Sequence, residues 1–586
     1  MINITSNMSW QDIANAAQTH LADTLSCVEP RIPDPPADLP LNVISLPAKL
    51  LSTDIVRITE SSTEDLLHKL ATGRLTSKQV VNAFLQRASL ASKLVNCIAE
   101  LLPQKALERA TELDKYYARH GKPMGPLHGL PISVKEHIAM KGQDLNAGFV
   151  SWVGNVAPDD GLILKLLWNA GCVFYARTTE PQTLMHLETS SNIYGVTVNP
   201  YNTKLTSGGS SGGEGALLGI RGSCLGIGTD IGGSIRSPAA NQGLFGLRPS
   251  SYRLPLEGFA ATMLGAEHIV PVVGPLSTSL EGVKIFMKAL IDQKPWLYEP
   301  MLVPMPWKNS VTEGTLLRTN SNTRTLRIGI LRDDAIVKPH PPILRAMDNL
   351  LAKLQSNPNI TTVDFPPYAH DEAWRIISSL YFADGASEEQ EAMAASSEPL
   401  RPLSEFILKE NKNVKTLSVP EVWKLTCERD AYRAAYARHW NSVGTDLSGP
   451  ESGEAVQVNS LEKESEMVDV ILCPVGPGCA PPLDCARYWG YTSQWNLLDY
   501  PALVFPTGLA CNAGDEVEKG YVPRNEDDRY NYELYDPKTY VDAPISLQLV
   551  GRRYEDEKLI EALELITEVA GLPFKEPAAG STKPRL

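Results

Sequence analysis

At 586 residues, with 43% hydrophobic and 21% charged residues, the chain has the make-up of a large folded protein that can bury an extensive core. Its formal net charge of -14 argues against nucleic acid or an anionic membrane surface as a partner. Nine scattered cysteines with no CxxC pair disfavour a zinc site or a disulfide framework, so no metal is expected and a reducing, cytoplasmic setting fits.

The first twenty residues lack the basic segment and apolar core of a secretory signal, and no apolar run reaches the ~18 residues of a membrane span. Residues 1–54 read as an extension wrapped on the body, proline-punctuated in EPRIPDPPADLP and carrying one helix from Trp10 to Leu25. A single large domain is expected over 55–578. Between Ser62 and Glu112 the apolar residues Leu66, Leu67, Leu70, Val80, Val81, Phe84 and Leu85 recur at helical spacing, and Thr76 or Ser77 can cap the second helix. From about residue 128, short apolar runs alternate with helical patterns. Strands are expected at 131–135, 173–177, 223–229, 325–331, 361–365, 468–473, 502–506 and 544–550, and helices at 160–170, 342–355, 373–383, 420–439 and 555–570. That alternation predicts an α/β fold with a sheet covered on both faces. The polar stretches 308–324 and 446–466 read as surface loops, and 579–586 as a tail whose last residues, Pro584-Arg585-Leu586, loosely resemble a peroxisomal address.

The densest signal lies between Thr206 and Pro249, within an expected signature core of 128–250. Two serines sit in glycine frames there, Ser210 in GGSSGG and Ser234 in DIGGSIR, and upstream Lys135 ends the apolar stretch LPISV. Gly226, Gly228 and Gly232 nearly spell the dinucleotide pattern GxGxxG, but Ile231 occupies the third glycine position. The run Gly208–Gly212 also satisfies the G-x-S-x-G elbow of α/β-hydrolases, with Ser210 as its serine. That elbow needs an apolar strand before it, where this chain has NPYNTKLTS, and a histidine well downstream, where the last one is His439. The remaining reading is a serine–serine–lysine device in which Ser234 attacks a carbonyl, Ser210 relays its proton and Lys135 accepts it. An ordinary lysine, with pKa ~10.4, is neutral at pH 7 in only about one molecule in 2,500, a penalty near ~4.6 kcal/mol. Burial offsets much of this. The backbone N–H groups of Ile231, Gly232, Gly233 and Ser234 are candidate donors to the oxyanion, each worth about 3 kcal/mol in rate.

These residues, together with the segments YARHGKPMGPLHGLPISVKEH, GGSSGGEGALLGIRG and RYWGYTSQWNLLDYPALVFP, resemble the amidase signature family, most closely its fungal acetamidase branch. The spacings agree, with Lys135 and Ser210 75 residues apart and Ser210 and Ser234 24 apart. The resemblance implies a Ser–cis-Ser–Lys triad, with Ser234 the nucleophile, Ser210 the relay behind a cis peptide and Lys135 the base. It also implies a large mixed twisted sheet flanked by helices on both faces, and hydrolysis of linear amides through an acyl-enzyme without metal or cofactor. Small aliphatic amides such as acetamide are the first expected substrates, and esters, aryl amides and carbamates share the same tetrahedral route. The partner is then a small molecule, and association as a homodimer stays open. Two other readings stay open as well: a glutaminase-like subunit of a tRNA amidotransferase, and a non-catalytic binding protein on the same scaffold.

By the same resemblance Thr229 hydrogen-bonds near the triad, while Asp230 and Arg236 brace the loop against the alternative of an ordinary surface ion pair. Ser211 is the neighbour most easily mistaken for the relay serine. Leu184 and Met185, and farther along Tyr491 and Trp495, are expected at the substrate pocket or in support of it. His137 falls on the same strand face as Lys135 if the strand continues, where it either tunes the entrance or packs.

Overall fold

In the computed structural model, which describes residue 2 and residues 8–308, 314–320, 323–444 and 466–574, twelve strands build one mixed sheet. In chain order they are β1 (Ile98–Leu101), β2 (Pro131–Lys135), β3 (Val173–Thr178), β4 (Leu225–Asp230), β5 (Phe245–Arg248), β6 (Val272–Ser277), β7 (Arg318–Asn320), β8 (Thr323–Ile330), β9 (Ile360–Asp364), β10 (Val470–Pro474), β11 (Ala502–Ala510) and β12 (Pro544–Val550). Their spatial order is β1-β3-β2-β4-β6-β5-β11-β12-β10-β8-β7, with β9 also pairing β8. Pairing is parallel where β2 lies between β3 and β4 and where β8 lies between β9 and β10, and antiparallel elsewhere.

Both faces of the sheet are covered, as alternation along a strand shows. On β10, Val470 and Leu472 enter one apolar cluster while Ile471 and Cys473 enter another. The helices over these faces include α1 (Trp10–Ser26), α2 (Ser77–Val95), α3 (Pro103–His120), α4 (Gly212–Gly219), α5 (Arg236–Asn241), α6 (Leu280–Ile291), α7 (Pro341–Leu354), α8 (His370–Tyr381), α9 (Val419–Ser442), α10 (Gly490–Leu498) and α11 (Asp556–Ala570). Thr76 caps α2, its hydroxyl accepting from Gln79 N–H and the Gln79 side chain accepting from Thr76 N–H. The first fifty residues reach into the main core through Leu21, Val28, Ile32, Val43 and Leu46.

The stretch 308–324 is not purely a loop. Arg318–Asn320 forms β7 against β8, because Leu317 is buried and the Glu561 carboxylate accepts from Leu316 N–H and Thr315 Oγ1. The stretch expected as a loop at 446–466 lies outside the described residues except for its last, as does the C-terminal tail.

Candidate active site

Lys135 ends β2, and its side chain is fully buried. Its Nζ lies 2.6 Å from Ser210 Oγ and 3.1 Å from Thr229 Oγ1, which projects from the neighbouring strand β4. Burial pulls this amine down to about 8, although Glu180, Asp230 and Glu214 each favour its charged form. Burial also pushes the Glu214 carboxyl up to about 8 and Glu180 well above the carboxylate range, Glu136 adding to the shift of Glu180.

Ser210 follows a cis peptide bond from Gly209, in a loop that closes tightly on its surroundings. A side chain on Gly228 would bring a Cβ within 2.8 Å of Ser211 Oγ, and one on Gly226 would collide with Glu214 Oε2. Two of the three glycines that imitate a dinucleotide motif, Gly226 and Gly228, thus clear room on β4 for the serine loop and α4. Ser211 is the tie between the two elements: its Oγ accepts from Thr229 N–H at 3.3 Å, and its N–H donates to the Ser234 carbonyl at 3.1 Å.

Asp230 organises the turn that carries Ser234. Its carboxylate accepts from the N–H groups of Gly233, Ile235 and Arg236, from Arg236 Nε and Nη2, and from Asn496 Nδ2. Burial alone would raise this carboxyl, but Arg236, 2.9 Å away and equally inaccessible, outweighs it and leaves the group at about 2. The pair is an interior one. One expected oxyanion donor is corrected here: Gly233 N–H already donates to Asp230 at 2.9 Å. Among the described residues the N–H groups of Ile231, Gly232 and Ser234 have no such partner. Tyr381 Oη donates to the Ile231 carbonyl and Thr492 Oγ1 to the Gly232 carbonyl, each at 2.6 Å. Because C=O and the following N–H point opposite ways in a trans peptide, the first bond turns Gly232 N–H away from Tyr381 and the second turns Gly233 N–H toward Asp230.

The sequence matches the Amidase family across residues 79–560. This chain belongs to the amidase signature family. A Schizosaccharomyces pombe protein is 45% identical over 96% of this chain and 99% of its own length. The acetamidase of Emericella nidulans is 39% identical over 96% of this chain and 98% of its own. Among solved structures, a fatty acid amide hydrolase superposes with a TM-score of 0.86 at 33% identity, covering 97% of this chain and 96% of that one. The chain is accordingly an enzyme of the amidase class, a hydrolase of carbon–nitrogen bonds in amides. No helix among the described residues is long and apolar enough to cross a membrane, and none of their His, Cys, Asp and Glu side chains gather in a group of three or more that could hold a metal.

In this amidase, Ser210 and Ser234 open onto one cavity of about 200 Å³, walled largely by apolar side chains such as Met185, Leu256, Phe259, Ile269 and Leu380. Leu184 lies on the wall beside Met185, and Thr183 and Leu184 both take left-handed backbone conformations. Tyr491 and Trp495 do not reach it. They stand four residues apart on the face of α10 turned into the core: Tyr491 Oη donates to the Val337 carbonyl, and Trp495 packs edge-on against Tyr436 and His370. The next residue of each pair faces the site instead, Thr492 toward Gly232 and Asn496 toward Asp230. Sequence reasoning missed these two and Tyr381. For Thr492 and Asn496 the one signal was their place directly after Tyr491 and Trp495, the aromatics the sequence had singled out.

Proposed function

We propose that the enzyme hydrolyses linear aliphatic amides through an acyl-enzyme on Ser234. The observation that carries this reading is the 2.6 Å contact between a fully buried lysine and Ser210, beside a cavity onto which both serines open. With its pKa at about 8, roughly one lysine in ten is neutral at pH 7, against about one in 2,500 for an exposed lysine. Ser234 Oγ forms a bond to the amide carbon while its proton passes to Ser210 and that of Ser210 to Lys135. The carbonyl electron pair moves onto oxygen, where the N–H groups of Ile231, Gly232 and Ser234 stabilise it. Collapse breaks the C–N bond, and the proton returns by the same route to the departing ammonia or amine. Water, activated the same way, then releases the carboxylate.

Acetamide fits by the naming of the acetamidase relative, and the cavity also has room for longer acyl groups. Its volume of about 200 Å³ is several times the ~30 Å³ share of one water molecule, and its wall is mostly apolar. A panel of acetamide, butyramide, hexanamide, an anilide, a carbamate and an ester tests the reading on wild type and Ser234→Ala. The expected result is turnover of the aliphatic amides, with kcat/KM rising from acetamide to hexanamide, and complete loss on every substrate in the variant. Near-normal rates in Ser234→Ala would remove the nucleophile assignment, and a kcat/KM highest for acetamide would remove the chain-length preference.

A further inference from the structure

His137 is buried beside the base, and the chemistry above gives it no task. Its orientation is fixed from both ends. Ala260 N–H donates to the His137 carbonyl at 2.9 Å, and the imidazole Nδ1 lies 2.8 Å from the Ala260 carbonyl oxygen. A carbonyl can only accept, so Nδ1 carries the ring proton. Burial, with the Lys135 charge adding to it, holds the imidazole pKa down at about 3, so the ring is neutral and Nε2 has a free lone pair. That lone pair faces Thr229 Oγ1 at 3.0 Å, so the threonine hydroxyl must be the donor. A hydroxyl has one proton. With it directed at His137, Thr229 can only accept from Lys135 Nζ, 3.1 Å away.

We propose that His137 is a positioning residue: it locks the Thr229 hydroxyl as an acceptor toward Lys135 and thereby leaves the lone pair of the lysine to Ser210. The inference rests on the triad reading above. A neutral amine has two N–H bonds and one lone pair in roughly tetrahedral directions. A Thr229 hydroxyl free to rotate would offer its own proton to that lone pair and compete with Ser210 for the only basic position. With His137 in place, one lysine N–H is assigned to Thr229 and the lone pair has Ser210 Oγ within 2.6 Å. The ring stands in the wall of the cavity that Ser210 and Ser234 share, but both its nitrogens are engaged, Nδ1 by the Ala260 carbonyl and Nε2 by Thr229. It acts through the threonine.

The experiment compares His137→Leu, His137→Gln, Thr229→Val and the double variant His137→Leu/Thr229→Val. It reads kcat and KM on the best amide of the panel, together with the rate at which a fluorophosphonate modifies Ser234. Leucine removes the acceptor, whereas glutamine keeps a side-chain oxygen for Thr229 and an N–H for Ala260. The expected outcome is a fall of about tenfold or more in kcat and in the labelling rate for His137→Leu and for Thr229→Val, with KM moving less than about threefold. The double variant should be no slower than about threefold below the slower single variant, because both changes break one chain of hydrogen bonds. His137→Gln should return to within about fivefold of wild type. If His137→Leu does not fold, glutamine is set against histidine in both backgrounds, and a difference that persists without the threonine hydroxyl overturns the proposal. So do single-variant losses that multiply, or wild-type rates in His137→Leu while Ser234 is still labelled. Wild-type labelling at Ser210, or at no serine, would instead overturn the nucleophile assignment on which this one stands.

Discussion

Lys135 shows what a single position in the fold does to an ordinary side chain. Ending β2 under the serine loop, it gives up water entirely, and the loss of hydration lowers its pKa to about 8 against the pull of three neighbouring carboxyls. The proposed base works only when deprotonated. The sign is therefore fixed: kcat/KM should rise as pH climbs toward 8, level off above it, and fall about tenfold per pH unit on the acid side. Rates measured from pH 6 to 10 check this, and a profile flat through that range would exclude Lys135 as the base. Lys135→Ala should lose several orders of magnitude in kcat and this acid limb with it. The residue itself was readable beforehand, since a lysine closing an apolar run upstream of two glycine-framed serines is an unusual combination. The size of the shift was not, because it depends on which carboxyls the fold brings close and whether they are themselves ionised.

At the scale of elements, the turn between β4 and α5 is gathered around a single buried carboxylate. Asp230 gathers three backbone N–H groups, two guanidinium donors and an amide from α10, all inside the protein. Removing one partner of a buried, fully hydrogen-bonded pair strands the other charge. Asp230→Ala should therefore cost about 3–5 kcal/mol of stability, read as a lower denaturant midpoint, and should lower kcat by misplacing the N–H groups that follow it. A cost below about 1 kcal/mol would mean that the pair behaves as if solvated. The expected strands emerged at or near their places, because apolar runs such as PISVK and VILCP are bounded by glycine, proline or charge. The strands β5 and β6 escaped the sequence reading, since FGLR and VVGPLS carry glycine or proline within the strand and so read as loop. The same limit explains Tyr491 and Trp495. Large aromatics in a helix near a site invite assignment to the substrate, but helical phase decides which face looks at the chemistry, and here the smaller Thr492 and Asn496 hold that face.

Across the whole molecule, the first helix is tied to the active-site strand through polar contacts as well as packing. On α1, His20 Nε2 lies 2.9 Å from Glu100 on β1, Glu100 meets Arg177 on β3, and Arg177 reaches Glu136, the residue after the proposed base. Burial would raise the Glu100 carboxyl, but His20, Arg177 and Gln143 bring it down to about 2, so it remains charged and paired at neutral pH. The same helix buries Ile13 and Leu21, and its Thr24 hydroxyl accepts from the Leu101 backbone N–H at the end of β1. Full burial of two such aliphatic side chains is worth about 3–6 kcal/mol, the larger part of what α1 contributes. A chain lacking residues 1–27 should therefore lose unfolding free energy of about that size, read as a lower denaturant midpoint, and inactivate faster on warming. Its kcat at low temperature should fall far less than in any triad variant, because Lys135, Ser210 and Thr229 keep their mutual contacts without α1. A truncated chain with wild-type stability would show that α1 merely lies on the surface. One that keeps its stability but loses activity would show that the Glu100–Arg177–Glu136 line transmits strain to the base.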